Sequence, residues 1–465
     1  MAVTEEISSP PLSPMSAAFA SSSISILPVF KFEVPINEHS VIELLRNELV
    51  PFNDRLSSVL HTDKKSVQRW RKVDFNVKDL VVAPTFPSGL SPEEYDQHLH
   101  EYLSKIGTEV FPKDRPLWEV HIIKYPTTIG GGAVVFKLSH AIGDGYSLIS
   151  LLMKGFQRAD DPSLPLTFPN VSLRPKAVRT NGCGFTLKCF NTISDVGVMM
   201  LRGRCLKDHK TAVRSGKPQL HLEPIVVSTI NLPLEDIRQV KAKVQGSVND
   251  VITGVIHYAI HLYMFKKKED LGGDRMTSMA MLNMRSLRSF DNINEMMKAG
   301  IWGNGSISLP TPIPTFVPEK HIDRDPLEFV VRAKKSMKRI RDSVLVQFTF
   351  PITKLLKRMK GAEGVAEFIY STLNNTTTLI TNVIGPNDKM AMAGYPISDF
   401  FYILTGVPQS IVFTVISYIG SLKVAVTMEK GFIDSQLFTL CMKEAFQKIL
   451  QEACDKDCKG VRNPS

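Results

Sequence analysis

The sequence predicts a two-domain protein of mixed α/β (α+β) class, on three observations. β-rich apolar runs alternate with segments whose apolar residues recur at helical spacing. A long, basic, proline-bearing stretch separates two such halves. The chain of 465 residues, 43% hydrophobic, is large enough to bury more than one core.

Residues 1–30 are rich in Ser, Pro and Ala and read as an extended lead-in. Residues 31–170 read as the first domain. Within it, 121–123 and 133–138 are apolar strands, and Tyr146, Leu148, Ile149, Leu151, Leu152 and Phe156 then recur as on one helix face. Residues 171–222 read as a crossover linker crowded with cations from Arg174 to Lys217, opposed only by Asp195 and Asp208. Residues 223–465 read as the second domain. It opens with a strand at 225–230 and a helix at 234–244 that Gly246-Ser247 should end. Asn249-Asp250 then begins a strongly apolar helix. Further on, 411–418 and 422–428 flank Ile419-Gly420-Ser421, a hairpin signal, and 437–450 is an amphipathic helix.

The segment with most chemical content is Leu138-Ser139-His140-Ala141-Ile142-Gly143-Asp144-Gly145, a His-x-x-x-Asp-Gly at a strand-to-helix junction. A histidine held at such a junction can take a proton from a substrate hydroxyl. Asp144 suits a helix start, and Gly145 permits tight backbone. Alone, so short a motif is a weak signal; its neighbours strengthen it.

Those neighbours, in chain order, are Pro11-Leu12-Ser13-Pro14-Met15, Arg115-Pro116-Leu117-Trp118-Glu119-Val120, Val248-Asn249-Asp250-Val251-Ile252-Thr253-Gly254, Asn283-Met284-Arg285 and Thr381-Asn382-Val383-Ile384-Gly385-Pro386. Together they resemble the plant bifunctional wax ester synthase/diacylglycerol acyltransferase family, over nearly the whole chain. One position departs: the family usually has two adjacent histidines, and the first is Ser139 here. The second, which the family uses as base, is His140. The resemblance implies the two-domain fold of the coenzyme A-dependent acyltransferases (chloramphenicol acetyltransferase-like), with a substrate channel between the domains. It implies transfer of a long-chain acyl group from acyl-coenzyme A to a fatty alcohol, diacylglycerol or both. It also implies no cofactor beyond acyl-coenzyme A as substrate, no metal, and a place on the cytosolic face of the endoplasmic reticulum membrane or at the cell membrane.

Such a transfer needs a base, donors for the tetrahedral oxyanion and a dry channel. His140 fits the base, since an ordinary imidazole is largely neutral at cytosolic pH. No serine elbow or Cys–His signature offers a covalent route, so the alcohol should attack directly. Asp144 is a candidate catalytic residue that could orient the imidazole, but a structural role is favoured, capping the helix and, by the family's fold, pairing with Arg285. Asn249 is the candidate oxyanion donor, with a helix N-cap as its equal alternative. Gly143 and Gly145 either admit substrate close to the backbone or permit the turn. Asn304 and Asn382 are candidates for lining the channel, while Trp118 and Glu119 should brace the core. His257 and His261 share a helical face, but with no third ligand nearby they read as packed or channel-lining rather than metal-binding.

Net charge of +10 favours anionic partners, among them coenzyme A phosphates and acidic lipid headgroups. Zinc-finger spacing, an RNP-type motif and a basic recognition helix are all missing, so nucleic acid is not an expected partner. Residues 1–9 carry Glu5 and Glu6 and lack the pattern of a secretory leader, so the six cysteines should be reduced. Cys454 and Cys458 have no matching ligand pair and read as part of a solvated tail. No apolar run reaches the roughly 18 residues of a membrane span. A basic stretch, Lys334 to Lys360, brackets the apolar residues 344–350. Docking on an anionic leaflet and a merely solvated helix pair explain it equally, with coenzyme A phosphates a third option.

Two other functions fit parts of this pattern. Plant acyltransferases of small secondary metabolites share His-x-x-x-Asp but carry a late Asp-Phe-Gly-Trp-Gly, for which Trp302-Gly303-Asn304-Gly305 is a misplaced look-alike. A non-catalytic acyl-lipid-binding protein is favoured only by Ser139.

Overall fold

The computed structural model describes residues 12–20, 23–63, 67–169, 197–198, 200–218, 220–269, 275–283, 302–315, 325–342 and 345–459. Two mixed sheets form the frame. The first has seven strands, in the order Val81–Val82, Trp118–Ile123, Gly132–Ser139, Ser25–Phe32, Tyr395–Thr405, Met390–Met392 and Phe156–Arg158. The second has six: Ser306–Pro312, Thr277–Asn283, Thr378–Val383, Ile411–Tyr418, Ser421–Glu429 and Ile225–Pro233. Helix Pro92–Thr108 covers one face of the first sheet. Helices Leu234–Val244, Val248–Lys266 and Ser435–Lys459 share a core with strands of the second.

Residues 1–30 are not a plain lead-in. Pro14–Ala20 is a helix, and Ser25–Phe32 is buried at every position in the middle of the first sheet. Phe30 stacks on Phe400 with ring centroids 4.4 Å apart. A strand buried on both faces shows no alternation of apolar and polar residues, which hides it from pattern reading. Pro28 hides it further, because proline is rare in central strands. The fold accommodates Pro28 where the ladder to Gly132–Ser139 lapses, between the Ile26↔Leu138 and Val29↔Val135 pairs.

The division at 223 also fails as a clean boundary. Strands Met390–Met392 and Tyr395–Thr405 leave the second half and enter the first sheet, where Val29 pairs with Phe401. Phe156, expected to extend the helix after the motif, instead starts a strand pairing with Met390–Met392. Of the crossover linker, 171–196, 199 and 219 lie outside the described residues. Its later part is packed rather than solvated: Arg202 meets Asp208 at 3.1 Å, and Arg214 donates to the Asn374 carbonyl at 2.7 Å. Both arginines are buried, because each found fixed partners.

Local signals were decisive elsewhere. Helix Leu234–Val244 falls as expected, although its chain reversal is made by Gln245 at φ 50° rather than by Gly246. The hairpin forms as Ile411–Tyr418 and Ser421–Glu429, turning on Ile419 and Gly420, both at positive φ. The C-terminal helix runs from Ser435 to Lys459, so Cys454 is on a helix rather than a tail.

Candidate active site

Strand Gly132–Ser139 ends at His140, which begins a tight turn into helix Gly145–Leu152. The His140 amide donates to the Ile24 carbonyl at 3.0 Å, and the Ser139 amide to Leu117 at 3.0 Å, so the strand ladder delivers the histidine in a fixed place. Asp144 caps the helix: its Oδ1 accepts from the Ser147 amide at 3.0 Å. Its Oδ2 accepts from the Gly305 amide and the Ser306 hydroxyl, both at 2.8 Å. Asp144 is thus buried and ties the turn to the segment 302–306; these bonds are those of a cap, and the side chain that orients the imidazole is Asn304 instead. Arg285, its expected cation, lies outside the described residues.

That segment holds the turn along its length. Trp302 Nε1 donates to the Ile142 carbonyl at 2.8 Å, and Arg55 donates to the same oxygen at 2.7 Å. Ser147 Oγ donates to the Gly303 carbonyl at 2.9 Å. A Cβ at Gly143 would come within 2.9 Å of the Ser147 Cβ, so Gly143 is required by the turn itself. Gly145 is less constrained; a Cβ there would meet Val383 at an ordinary 3.5 Å.

The imidazole is oriented by Asn304. Asn304 Nδ2 lies 3.0 Å from the His140 carbonyl and 3.1 Å from Ser16 Oγ. A carbonyl only accepts, so the amide nitrogen faces it and Oδ1 must face the ring. Oδ1 sits 3.0 Å from His140 Nδ1 and therefore accepts the Nδ1 proton. The neutral ring then carries its lone pair on Nε2, the tautomer a general base needs. Phe19 packs on the imidazole at 4.1 Å between centroids. Burial pushes the His140 pKa below its ordinary value, against the opposing pull of Asp144 and the Asn304 hydrogen bond. The ring is consequently neutral at physiological pH.

Asn249 is not the N-cap of its helix. Ser247 is, in a reciprocal capping box with Asp250. Asn249 is exposed and accepts a hydrogen bond from Asn382 Nδ2. The two asparagines form a pair of their own, and among the described residues neither bonds to His140, Asp144 or Asn304. Val383, next to Asn382, lies beside Gly145; Asn382, its neighbour on the strand, points to the opposite face, where it meets Asn249 on helix Val248–Lys266. Trp118 braces the core through its indole N–H to the Leu56 carbonyl at 2.8 Å. Glu119 joins Arg115, His121 and Lys137 in an ion-pair cluster at 3.4–3.7 Å. His257 is packed: fully buried, 2.8 Å from Ser278 Oγ, with its pKa pushed down to about 3 by burial. His261 lies against the rings of Tyr258 and Phe329.

Sequence reasoning missed Ser16, Phe19, Arg55 and Ser147, and it placed Asn304 only among candidates for lining the channel. Ser13-Pro14-Met15 was noticed without a role; it leads directly into Ser16 and Phe19. Nothing in the pattern around Trp302-Gly303-Asn304-Gly305 marks it as a partner of a residue 164 positions away.

This two-sheet framework, with two strands of the second half inserted in the first sheet, is the fold of the two-domain coenzyme A-dependent acyltransferases. A wax ester synthase/diacylglycerol acyltransferase from Marinobacter aquaeolei VT8 is similar to it, with TM-score 0.58, 14% identity, and coverage of 95% of this chain and 99% of that one. So is the first condensation domain of the calcium-dependent antibiotic synthetase, with TM-score 0.62, 12% identity and 97% coverage of both chains. Family models sharpen the class. The wax ester synthase/diacylglycerol acyltransferase catalytic domain matches residues 51–214, and the WS/DGAT C-terminal domain matches 302–450. The first match contains His140 and Asp144, and the second begins at Trp302, beside Asn304. Wax ester synthase/diacylglycerol acyltransferase 11 of Arabidopsis thaliana is 26% identical over 460 residues, covering 92% of each chain. Wax ester synthase/diacylglycerol acyltransferase 3 of the same plant is 25% identical over 472 residues, covering 96% of this chain and 94% of that one. The chain belongs to the wax ester synthase/diacylglycerol acyltransferase family, and it is an acyltransferase.

Proposed function

We propose that this enzyme transfers a long-chain acyl group from acyl-coenzyme A to the hydroxyl of a fatty alcohol or of diacylglycerol. His140 Nε2 takes the hydroxyl proton as the oxygen attacks the thioester carbonyl. The tetrahedral intermediate collapses, the carbon–sulfur bond breaks, and the coenzyme A thiolate leaves and takes up the proton. The observation that carries this reading is the Asn304 clamp on His140, which keeps Nε2 unprotonated in a buried, neutral ring. Direct attack fits, because the described site holds no activated nucleophile beside the histidine. For the oxyanion we assign the amide of Asn249, at the exposed start of helix Val248–Lys266; what supports this is that an uncharged amide donates without titrating.

The working location in this reading is a lipid surface on the cytosolic side of the endoplasmic reticulum or the cell membrane. Its support is the +10 net charge and the poor water solubility of the acceptors. Among the described residues no helix is long and apolar enough to cross a membrane.

Thiol release from palmitoyl-coenzyme A by purified protein, with hexadecanol or diacylglycerol as acceptor, tests the reading. Acceptor-dependent release should fall by about 10²–10⁴-fold in His140→Ala. A folded protein that binds acyl chains but releases thiol with no acceptor would return the question to the lipid-binding alternative, which the family relationship does not favour.

A further inference from the structure

One helix face has no role in the site or the core. Helix Leu345–Asn374 is broken at Gly361, where φ is 71°. Just before the break, Leu355 is 57% exposed and Met359 is 74% exposed, although both are large and apolar. They lie one turn apart on the same side of the helix. Lys354 and Arg358, also exposed, run as a parallel row beside them, and exposed Lys360 follows. From 352 to 360 the helix has four cations, counting Lys357, and no carboxylate. Acidic residues return only beyond the break, at Glu363 and Glu367. An apolar row flanked by cations along one exposed face matches the interface of an anionic bilayer.

The back of this helix leads to the histidine. It packs on helix Pro14–Ala20, and Lys357 Nζ donates to the Leu12 carbonyl at 3.1 Å. Helix Pro14–Ala20 in turn presents Phe19 to the His140 ring and Ser16 to Asn304. Only two layers of helix, about 20 Å at ordinary packing distances, separate the exposed face from the catalytic group.

We infer that the face formed by Lys354, Leu355, Arg358, Met359 and Lys360 docks the enzyme on an anionic lipid surface and brings the site close to acceptors dissolved there. The inference rests on the proposed function only in taking the acceptor to be a lipid; vesicle binding is independent of it.

The test is co-sedimentation of the full chain with phosphatidylcholine vesicles, with or without phosphatidylserine. The wild type should bind the mixed vesicles more tightly than the neutral ones, and added salt should weaken the binding. Leu355→Glu/Met359→Glu and Lys354→Glu/Arg358→Glu should each lose binding by about tenfold or more. Lys335→Glu/Lys338→Glu, on the separate helix Leu327–Asp342, should bind like the wild type. Turnover of hexadecanol held in vesicles should fall in the two face variants, while turnover of a short alcohol in solution stays at the wild-type level. Failure of the wild type to bind, wild-type binding by both face variants, or equal loss in the control would overturn the docking surface. If binding behaves as expected but no acceptor yields thiol, the surface stands and the acyl-transfer reading falls.

Discussion

Asn304 and His140 hold each other at two points. The side chain of Asn304 accepts the ring Nδ1 proton at 3.0 Å while its amide donates to the His140 carbonyl, also at 3.0 Å. This double contact fixes both the position of the ring and its tautomer. It fills the place that a carboxylate occupies in many histidine-based sites, without supplying a charge. The imidazolium therefore gains less stabilisation than a carboxylate would give, in keeping with a depressed pKa.

Removing the clamp should reduce turnover without abolishing binding. Asn304→Ala is expected to lower kcat by about 10²-fold with little change in KM, because a ring displaced by an ångström is a poor base. Steady-state kinetics of acceptor-dependent thiol release would check this split.

Asn304→Asp should change the pH profile in a defined direction. A carboxylate against Nδ1–H favours the imidazolium and raises the His140 pKa. The base is active only when neutral, so the acid limb of the kcat profile should move to higher pH than in the wild type. An unmoved limb would mean that His140 does not titrate in that limb.

Asp144 is expected to matter for folding as much as for rate. Asp144→Ala deletes the helix cap and leaves the Gly305 amide and Ser306 hydroxyl without their acceptor. A loss of about 2–4 kcal/mol in urea unfolding is expected. Asp144→Asn, which keeps one acceptor oxygen, should lose less.

Stability should also fall in acid because of a histidine outside the site. His257 is neutral in the folded protein down to about pH 3, against an ordinary value of 6.5. Below pH 6.5 the unfolded chain takes up a proton that the folded chain refuses, so stability drops as pH falls through this window. The slope is bounded by about 1.4 kcal/mol per pH unit. His257→Gln should flatten it, as read from urea midpoints at a series of pH values.

Gly254 marks where helices Val248–Lys266 and Leu327–Asp342 touch. A Cβ there would come within 2.6 Å of the Val330 Cα, which is backbone and cannot rotate away. Gly254→Ala is therefore expected to destabilise by about 1–3 kcal/mol even though alanine is the better helix former. Thermal unfolding of the pair would decide.

The hairpin 411–429, helix Leu234–Val244 and the Asp144 cap were legible in the sequence for one reason. Each is specified by residues a few positions apart: alternation with a positive-φ turn, helical spacing, and an aspartate facing a free amide. The histidine was legible for the same reason, since its motif spans one strand-to-helix junction. Its surroundings were not. Ser16 is 288 residues from Asn304, and Asn304 is 164 from His140. An asparagine between two glycines has no periodicity, so only the fold could assign it a ring to orient. The same limit explains strands Ser25–Phe32 and Tyr395–Thr405. Their composition permits burial in either sheet, and the choice depends on a pairing partner hundreds of residues away. By itself the sequence determined the local elements and singled out the histidine proposed as the base. Tertiary structure alone decided what holds that base, because hydrogen bonds between distant segments form only after the two sheets have packed.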